Sequence, residues 1–167
     1  MTSTDPTQTR LEAVLQYRPY QPGDFPQLYA IEEVCFQPPL RFSRRYMRDL
    51  VARPGAATWI AEEDSSMAGF AVVDFAPEPQ GTIAYIQTIE VLPAHRNRGI
   101  GAGLIRRMED SALAVGAALI WLHVDAENDA AIRLYRAHGY QRQGRQDHYY
   151  ARGRAAEIYV KPLQDAG

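Results

Sequence analysis

The segment Val91–Leu104, VLPAHRNRGIGAGL, decides the fold of this chain. An apolar stretch ends at Pro93, a polar loop follows, and apolar residues recur at helical spacing from Gly99 onward. The first N–H groups of a helix lack intrahelical partners, and the helix dipole places about half a positive charge there. This strand–loop–helix turn therefore predicts a binding site for a phosphate-bearing ligand.

The loop itself carries two kinds of residue that suit an anion. Gly99 and Gly101 allow the backbone to approach closely, and Arg96 and Arg98 supply charge-assisted donors. Two common nucleotide-binding patterns do not fit, because the chain has no GxxxxGK[ST] and has Leu104 where GxGxxG needs its last glycine. A tight strand–helix turn needs glycine in any case, so the turn alone leaves the ligand open.

Outward from this turn, the pattern predicts one α/β domain with the element order β-α-α-β-β-β-α-β-α-β-β. Residues 13–163 are expected to form the domain, with a disordered tail at 1–12 and a short tail at 164–167. The predicted elements are strand 14–18, helices 25–35 and 43–53, a hairpin turning at 64–66, strand 82–92, helix 99–115, strand 117–124, helix 128–138 and a final antiparallel pair.

Two of these helices carry apolar stripes that should face the core. Asp24 and Ser43 are expected to cap the first two helices. Cys35 lies on the stripe of the first helix, so it is interpreted as a small core residue and not as a nucleophile. The stripes are Leu28, Ile31, Val34 and Cys35 in the first helix, and Ile100, Leu104, Ile105, Met108, Ala112 and Val115 in helix 99–115.

Composition excludes several functional classes. Of the 167 residues 46% are hydrophobic, which is enough for one full core, and 20 acidic against 18 basic residues argue against a nucleic-acid partner. No apolar run reaches the roughly 20 residues of a membrane span, and the N-terminus is polar. One cysteine excludes an internal disulfide, and no HxxxH or HExxH spacing points to a metal. We expect a cytoplasmic monomer or homodimer.

Two motifs together resemble the GNAT superfamily of acyl-CoA-dependent N-acetyltransferases. The loop RNRGIG, after the strand end VLP, looks like the family's Gln/Arg-x-x-Gly-x-Gly/Ala motif. The segment Asn128–Tyr140, NDAAIRLYRAHGY, is similar to the family's N-x-x-A-I-x-L-Y-x-x-x-G-F. Both stand in the family's order and spacing, and the likeness extends over roughly Val14–Leu163.

This resemblance implies an α/β fold with a mixed central β-sheet, splayed open between the strands at 82–92 and 119–124 and flanked by helices on both faces. Acetyl-CoA would be the cosubstrate, with no metal, and its pantetheine arm would pair with the backbone of Ile89 and Val91. Asn128 would contact the pantetheine, and Tyr135 would lie near the sulfur. Backbone amides would hold the pyrophosphate, from Arg96, Asn97, Arg98, Gly99, Ile100 and Gly101.

Within the superfamily, the sequence looks most like the protein N-terminal acetyltransferases of the RimI and NatE types. HYY at 148–150 resembles their Asn-Tyr-Tyr, which would place Tyr149 and Tyr150 beside a peptide N-terminus. RimI-type enzymes usually have Glu where this chain has His123. LHV around His123, with Tyr85 fourteen residues before Gly99, looks like the base pair of the NatE catalytic subunit.

The implied chemistry favours an α-amine as acceptor. A free α-amino group has a pKa of about 7.7–8.0 and lysine one of about 10.4, so a histidine near its usual 6.5 suits the α-amine better. His123, through water or with Tyr85, would take the amine proton. The Val91 amide would hold the developing oxyanion, and Tyr135 would protonate the leaving thiolate.

Alternatives remain open for these residues and for the function. His123 could be a hydrogen-bonded strand residue, and the tyrosines could be packing aromatics. Glu90 could replace His123 as the base, although strand glutamates usually face water. The loop FQPPLRF departs from both types, although Phe36 and Pro38 would still wall a peptide pocket. Besides N-terminal acetylation, the open functions are acetylation of a small amine or lysine side chain and a non-catalytic acyl-CoA-binding module.

Overall fold

The computed structural model describes residues 14–164, and the predicted order of strands and helices is confirmed there. The predicted tail at 1–12 and all but Gln164 of that at 164–167 lie outside the described residues. None of the helices within 14–164 combines the length and the apolar character needed to cross a membrane. The elements are β1 (Leu15–Pro19), α1 (Phe25–Cys35), α2 (Arg44–Val51), β2 (Ala56–Glu63), β3 (Ser66–Ala76), β4 (Ile83–Val91), α3 (Ile100–Ala114), β5 (Leu119–Asp125), α4 (Asp129–Ala137), β6 (Gln141–Ala151) and β7 (Arg154–Pro162).

The seven strands form one sheet in the order β1-β2-β3-β4-β5-β7-β6. All neighbouring pairs are antiparallel except β4 and β5, which are parallel. These two strands pair only over Ile83–Ile86 and Leu119–Leu122, and their C-terminal halves diverge. The predicted splay is therefore confirmed, and the unpaired edges of β4 and β5 border a gap in the sheet.

A β-bulge in β4 lies where this gap begins. Ile86 pairs with Val73 and Thr88 pairs with Val72, so Gln87 is an extra residue in the ladder. A bulge of this kind bends the strand and reverses which face its later side chains occupy. The end of β4 is thereby turned away from β5, and every second side chain beyond Gln87 faces α1 and α2.

Helices cover both faces of the sheet, as the resemblance implied. α3 packs on one face with Leu104, Ile105 and Met108 fully buried, whereas Leu28 of α1 and Leu50 of α2 are buried on the other. Each face therefore has its own apolar cluster.

Two of the residues predicted to lie on the buried apolar stripes, Val34 and Val115, are exposed. Val34 is 56% exposed because it lies nine residues, or about two and a half turns, from the buried Phe25 and thus on the opposite side of α1. Val115 is 48% exposed because α3 ends at Ala114. Ser43 caps α2 as predicted, accepting from the Tyr46 backbone N–H. Asp24 stands at the N-cap of α1 without a capping bond, because its carboxylate binds Arg18 instead.

Candidate active site

A cavity of about 510 Å³ lies where the sheet opens and the loop before α3 meets the gap. Most of the residues predicted to contact the cofactor line this donor cleft. They are Ile89, Val91, Arg96, Asn97, Gly99, Ile100, Gly101 and Asn128. Sequence-distant segments, the end of β4 and the starts of α3 and α4, therefore form one concave surface.

The start of α3 presents free backbone donors to this cleft. Gly99 is the N-cap of α3 and takes the left-handed conformation, with φ at 81°, where the loop turns into the helix. Gly103 N–H makes the first intrahelical bond, to the Gly99 carbonyl, so the amides before it have no helical acceptor. A Cβ on Gly101 would lie 3.0 Å from a Leu134 methyl group, so glycine also fits the contact with α4. This geometry suits a diphosphate.

The two loop arginines take different positions. Arg96 donates from Nε to the Val91 carbonyl at 2.9 Å and lines the cleft. Arg98 is ion-paired with the buried carboxylate of Glu63 on β2, and its side chain does not line the cleft. A direct role for the Arg98 guanidinium toward the ligand therefore finds no support in the geometry, although its backbone belongs to the loop.

The free edge of β4 is partly occupied. Because the Val91 carbonyl accepts from Arg96, it points into the gap and away from β3, and the Val91 N–H shares that orientation. Cys35 Sγ lies 3.6 Å from the same carbonyl. Cys35 is half-buried: it packs against the apolar cluster beneath α1, as expected, and it also lines the cleft. Burial raises the pKa of its thiol.

A smaller cavity of about 90 Å³ adjoins the donor cleft. The two share Phe36, Ile89, Asn128 and Ala131, so they form one continuous space. Leu40, Tyr135 and Tyr150 line this acceptor pocket, as does His123.

Pro38 and Tyr149 do not line either cavity. The turn closed by Leu40 N–H and the Gln37 carbonyl directs Phe36 and Leu40 inward and leaves Pro38 exposed, so a contact between Pro38 and the substrate stays a prediction. Tyr149 stacks on the His123 imidazole instead, with ring centroids 4.2 Å apart and planes within 8°.

His123 and Tyr85 are brought together as the sequence predicted. They lie on paired strands β5 and β4, on the face away from α3, and Tyr85 Oη is 2.8 Å from His123 Nδ1. Burial lowers the pKa of His123 and raises that of Tyr85, so both are neutral at pH 7. When Nδ1 carries the proton and donates it to Tyr85, Nε2 keeps the lone pair that a base needs.

Gln146 on β6 completes this cluster, and no pattern in the sequence predicted it. Its Oε1 lies 3.3 Å from His123 Nε2. When Nε2 is unprotonated, a half-turn of the Gln146 amide presents an N–H group to that nitrogen instead. β6 is separated from β5 by β7, so only the strand order brings the two side chains together.

Tyr135 and Asn128 both belong to α4. Tyr135 is 4% exposed and packs edge-on against Tyr140, and burial raises its pKa, so the phenol is protonated. It lines the acceptor pocket. Asn128 caps α4 by accepting from Ala131 N–H at 3.1 Å, which leaves its side-chain amide N–H groups for a ligand in the cleft.

Glu90 and Glu32 form a buried carboxyl pair beside both cavities. Glu90 is 3% exposed and Glu32 is fully buried, so the expectation that Glu90 faces water is wrong; the bulge at Gln87 turns it inward. Thr88 Oγ1 donates to Glu90, and the Phe42 backbone N–H donates to Glu32. Burial, and next the neighbouring Glu32, raise the pKa of Glu90 well above its usual range. Glu90 as the base in place of His123 therefore stays a prediction.

A sheet with a gap between two strands, next to a helix N-terminus with unpaired amides, defines a class of proteins that bind a phosphate-bearing ligand in that gap. The sequence profile of the acetyltransferase (GNAT) family matches residues 25–140, and the chain belongs to that family. The resemblance found in the sequence is confirmed.

Two curated relatives are each similar over a little under half of the chain. One is the streptothricin acetyltransferase of Streptomyces lavendulae, 42% identical over 77 residues, or 46% of this chain and 40% of the relative. Another is the N-alpha-acetyltransferase RimI of Mycobacterium tuberculosis, 41% identical over 75 residues, or 45% of each protein. The chain spans about half the length of the curated relatives it matches.

Solved structures share the fold over nearly the whole chain. The ribosomal-protein-S18-alanine N-acetyltransferase from Escherichia coli has a TM-score of 0.80 at 24% identity, covering 92% of this chain and 97% of that one. Arabidopsis thaliana NAA60 in complex with acetyl-CoA has a TM-score of 0.81 at 22% identity, covering 89% and 98%. At these identities the likeness establishes the fold alone.

Proposed function

We propose that this protein is an N-acetyltransferase that moves an acetyl group from acetyl-CoA to the α-amino group of a protein or peptide. The observation that carries the proposal is the continuity of the two cavities, with the amides of α3 at one end and neutral His123 at the other. A donor held by its diphosphate at Gly99–Gly101 can extend along β4 toward Ile89, where the acceptor pocket begins.

The residues at that junction suit direct transfer. His123, held by Tyr85, takes a proton from the acceptor ammonium, directly or through a water, and the neutral nitrogen attacks the thioester carbonyl. The Val91 N–H, on the free edge of β4, stabilises the oxygen as it gains charge. The C–S bond breaks, the thiolate takes a proton from Tyr135, and the nitrogen releases its second proton to water. Solvent then reprotonates Tyr135 and takes the proton from His123, so one proton is released in each turnover. The products are an N-acetyl amide and coenzyme A, and no covalent enzyme intermediate forms.

The acceptor pocket supports an N-terminal substrate. Its walls carry Phe36, Leu40 and Phe42 on one side and Tyr150 on the other, and about 90 Å³ of space suits one terminal residue. A neutral histidine also matches an α-amine of pKa about 7.7–8.0 better than a lysine of about 10.4. RimI, one of the relatives, is an N-alpha-acetyltransferase.

A small amine is the second candidate acceptor. The 42% identity to a streptothricin acetyltransferase favours it, and an L-2,4-diaminobutyric acid acetyltransferase is 30% identical over 114 residues. The non-catalytic module is disfavoured because His123 and Tyr135 line the acceptor pocket and Tyr85 contacts His123. A cytoplasmic location and a monomeric or homodimeric state remain predictions.

Acetyl-CoA turnover on matched acceptors tests the proposal. We expect activity on short peptides with a free N-terminus and loss of activity when the same peptides are blocked at the α-amine but keep a lysine. Turnover restricted to diamines and polyamines would support the small-amine alternative. Coenzyme A binding without turnover on any acceptor would support the binding module.

A further inference from the structure

The buried carboxylate of Glu63, which does not line the donor cleft, contacts the loop between β4 and α3. Glu63 ends β2, and its side chain is 4% exposed. One oxygen, Oε2, lies 2.6 Å from His95 Nδ1, and the other, Oε1, accepts from Arg98 Nη1. Both partners belong to the segment between β4 and α3, so one side chain contacts the loop at two points.

Both contacts that stabilise the ionised form of Glu63 come from this loop. The hydrogen bond from His95, and further the charge of Arg98, lower the pKa of Glu63. A buried carboxylate without such partners would carry a large desolvation cost, so the loop conformation that supplies both donors is strongly preferred. The pairing also cancels a negative charge that would otherwise lie close to a bound phosphate.

His95 connects this pairing to the ligand. Its side chain is 24% exposed and lines the donor cleft together with Arg96 and Asn97. Because Nδ1 is engaged by Glu63, Nε2 is the ring nitrogen left to meet a ligand in the cleft. A carboxylate that fixes one imidazole nitrogen orients the other, as in many binding sites.

We propose that Glu63 is a positioning residue for donor binding: through His95 and Arg98 it holds the loop Arg96–Gly101 in the conformation that accepts the donor's diphosphate, and it orients the His95 imidazole, whose Nε2 can donate to a phosphate oxygen when the ring carries both protons. This inference rests on the proposed use of acetyl-CoA. It gives a role to Arg98, whose side chain contacts Glu63 and not the cleft. It also makes β2, which does not line either cavity, part of the donor site.

The test compares Glu63→Gln with Glu62→Gln. Glu62 is the adjacent carboxylate on β2, but it binds Arg18 of β1 and not the loop, so it is a matched control. Coenzyme A affinity is measured by calorimetry, and KM and kcat are measured with acetyl-CoA and with S-acetylpantetheine, which lacks the diphosphate. We expect Glu63→Gln to weaken coenzyme A binding and raise the KM for acetyl-CoA about tenfold, as for one lost charge-assisted hydrogen bond. kcat at saturating donor and all constants for S-acetylpantetheine should stay within about twofold, and Glu62→Gln should match the wild type.

A second variant guards against a general folding defect. His95→Phe keeps a ring of similar size but removes both nitrogens, and it should raise the same KM. Combined with Glu63→Gln it should add little, because both changes break one linkage. Equal losses with both donors, or unchanged KM in Glu63→Gln, would overturn the positioning role. If the wild type itself fails to bind coenzyme A, the proposed function falls and this inference with it.

Discussion

At the residue scale, the proposed proton transfer depends on the imidazole of His123. His123 contacts Tyr85 through Nδ1, lies near Gln146 through Nε2 and stacks on Tyr149. Three neighbours fix the ring in place, while partial burial keeps it neutral by lowering its pKa. A fixed, neutral imidazole at the wall of the acceptor pocket is what general-base catalysis requires.

Replacing this side chain should therefore separate chemistry from donor binding. We predict that His123→Ala lowers kcat by about a hundredfold or more and leaves the coenzyme A dissociation constant within about twofold. His138→Ala is the control, because His138 caps α4 and does not line either cavity. Steady-state kinetics and calorimetry measure both effects.

The pH dependence tests the same assignment. Since the base must be unprotonated, kcat should fall as the pH drops through the lowered pKa of His123, and His123→Ala should lose this limb. A profile of kcat from about pH 5 to about pH 9 that is the same in both proteins would remove His123 from the mechanism.

At the element scale, the bulge in β4 determines what its last residues do. Without the extra residue Gln87, the Glu90 side chain would face α3, and Thr88 would not share its present face. With the bulge, Glu90 lies beside Glu32 of α1, and burial together with this neighbouring carboxyl raises the pKa of Glu90. The Phe42 N–H donates to Glu32, so this carboxyl pair also connects the free edge of β4 to the segment between α1 and α2.

The raised pKa of Glu90 should make the free energy of unfolding depend on pH. The pKa of Glu90 is raised in the folded protein, so its stabilising contribution is complete below its unfolded pKa and is lost as pH rises toward the folded value. We predict that the wild type loses up to about 1.4 kcal/mol per pH unit above roughly pH 4.5 from this group, and that Glu90→Gln abolishes this slope. Urea denaturation at a series of pH values measures it.

The exposed loop residue Glu78 offers the control for that experiment. Glu78→Gln should keep the wild-type slope. A slope that persists unchanged in Glu90→Gln would mean that Glu90 is ionised in the folded protein.

At the scale of the whole molecule, the decisive feature is the gap between β4 and β5. Pairing stops after Ile86 and Leu122, so two strand edges lie open without a partner strand. Open edges of this kind invite pairing with an extended ligand. The start of α3 lies at the same end of the gap, so one ligand can meet both the strand edge and the helix terminus.

Titration with coenzyme A should therefore perturb a defined set of amides. We predict large changes in the NMR signals of Gly99, Ile100 and Gly101, whose N–H groups lack helical acceptors. Gly116 and Gly153, which end α3 and turn between β6 and β7, lie outside both cavities and should stay unchanged. Unmoved signals at the α3 terminus on saturation with coenzyme A would refute the site.

Much of this architecture was predictable from local pattern. Apolar periodicity gave the element order, and Gly99 with Gly101 marked the helix start that faces the cleft. The pairing of Tyr85 with His123 was also expected, although from family resemblance and not from periodicity. The error at Val34 arose because an apolar residue type does not reveal which side of a helix it occupies.

The sequence by itself determined the strands and helices, the anion-binding turn and the motifs of the family, since each depends on residues close together in the chain. Only the tertiary structure decided that Glu63 reaches His95, that Glu32 meets Glu90 and that Gln146 approaches His123. Those contacts depend on strand order, register and one bulge, which join segments far apart in sequence. Local propensity carries no information about such long-range pairings, because they are selected by the packing of the complete sheet.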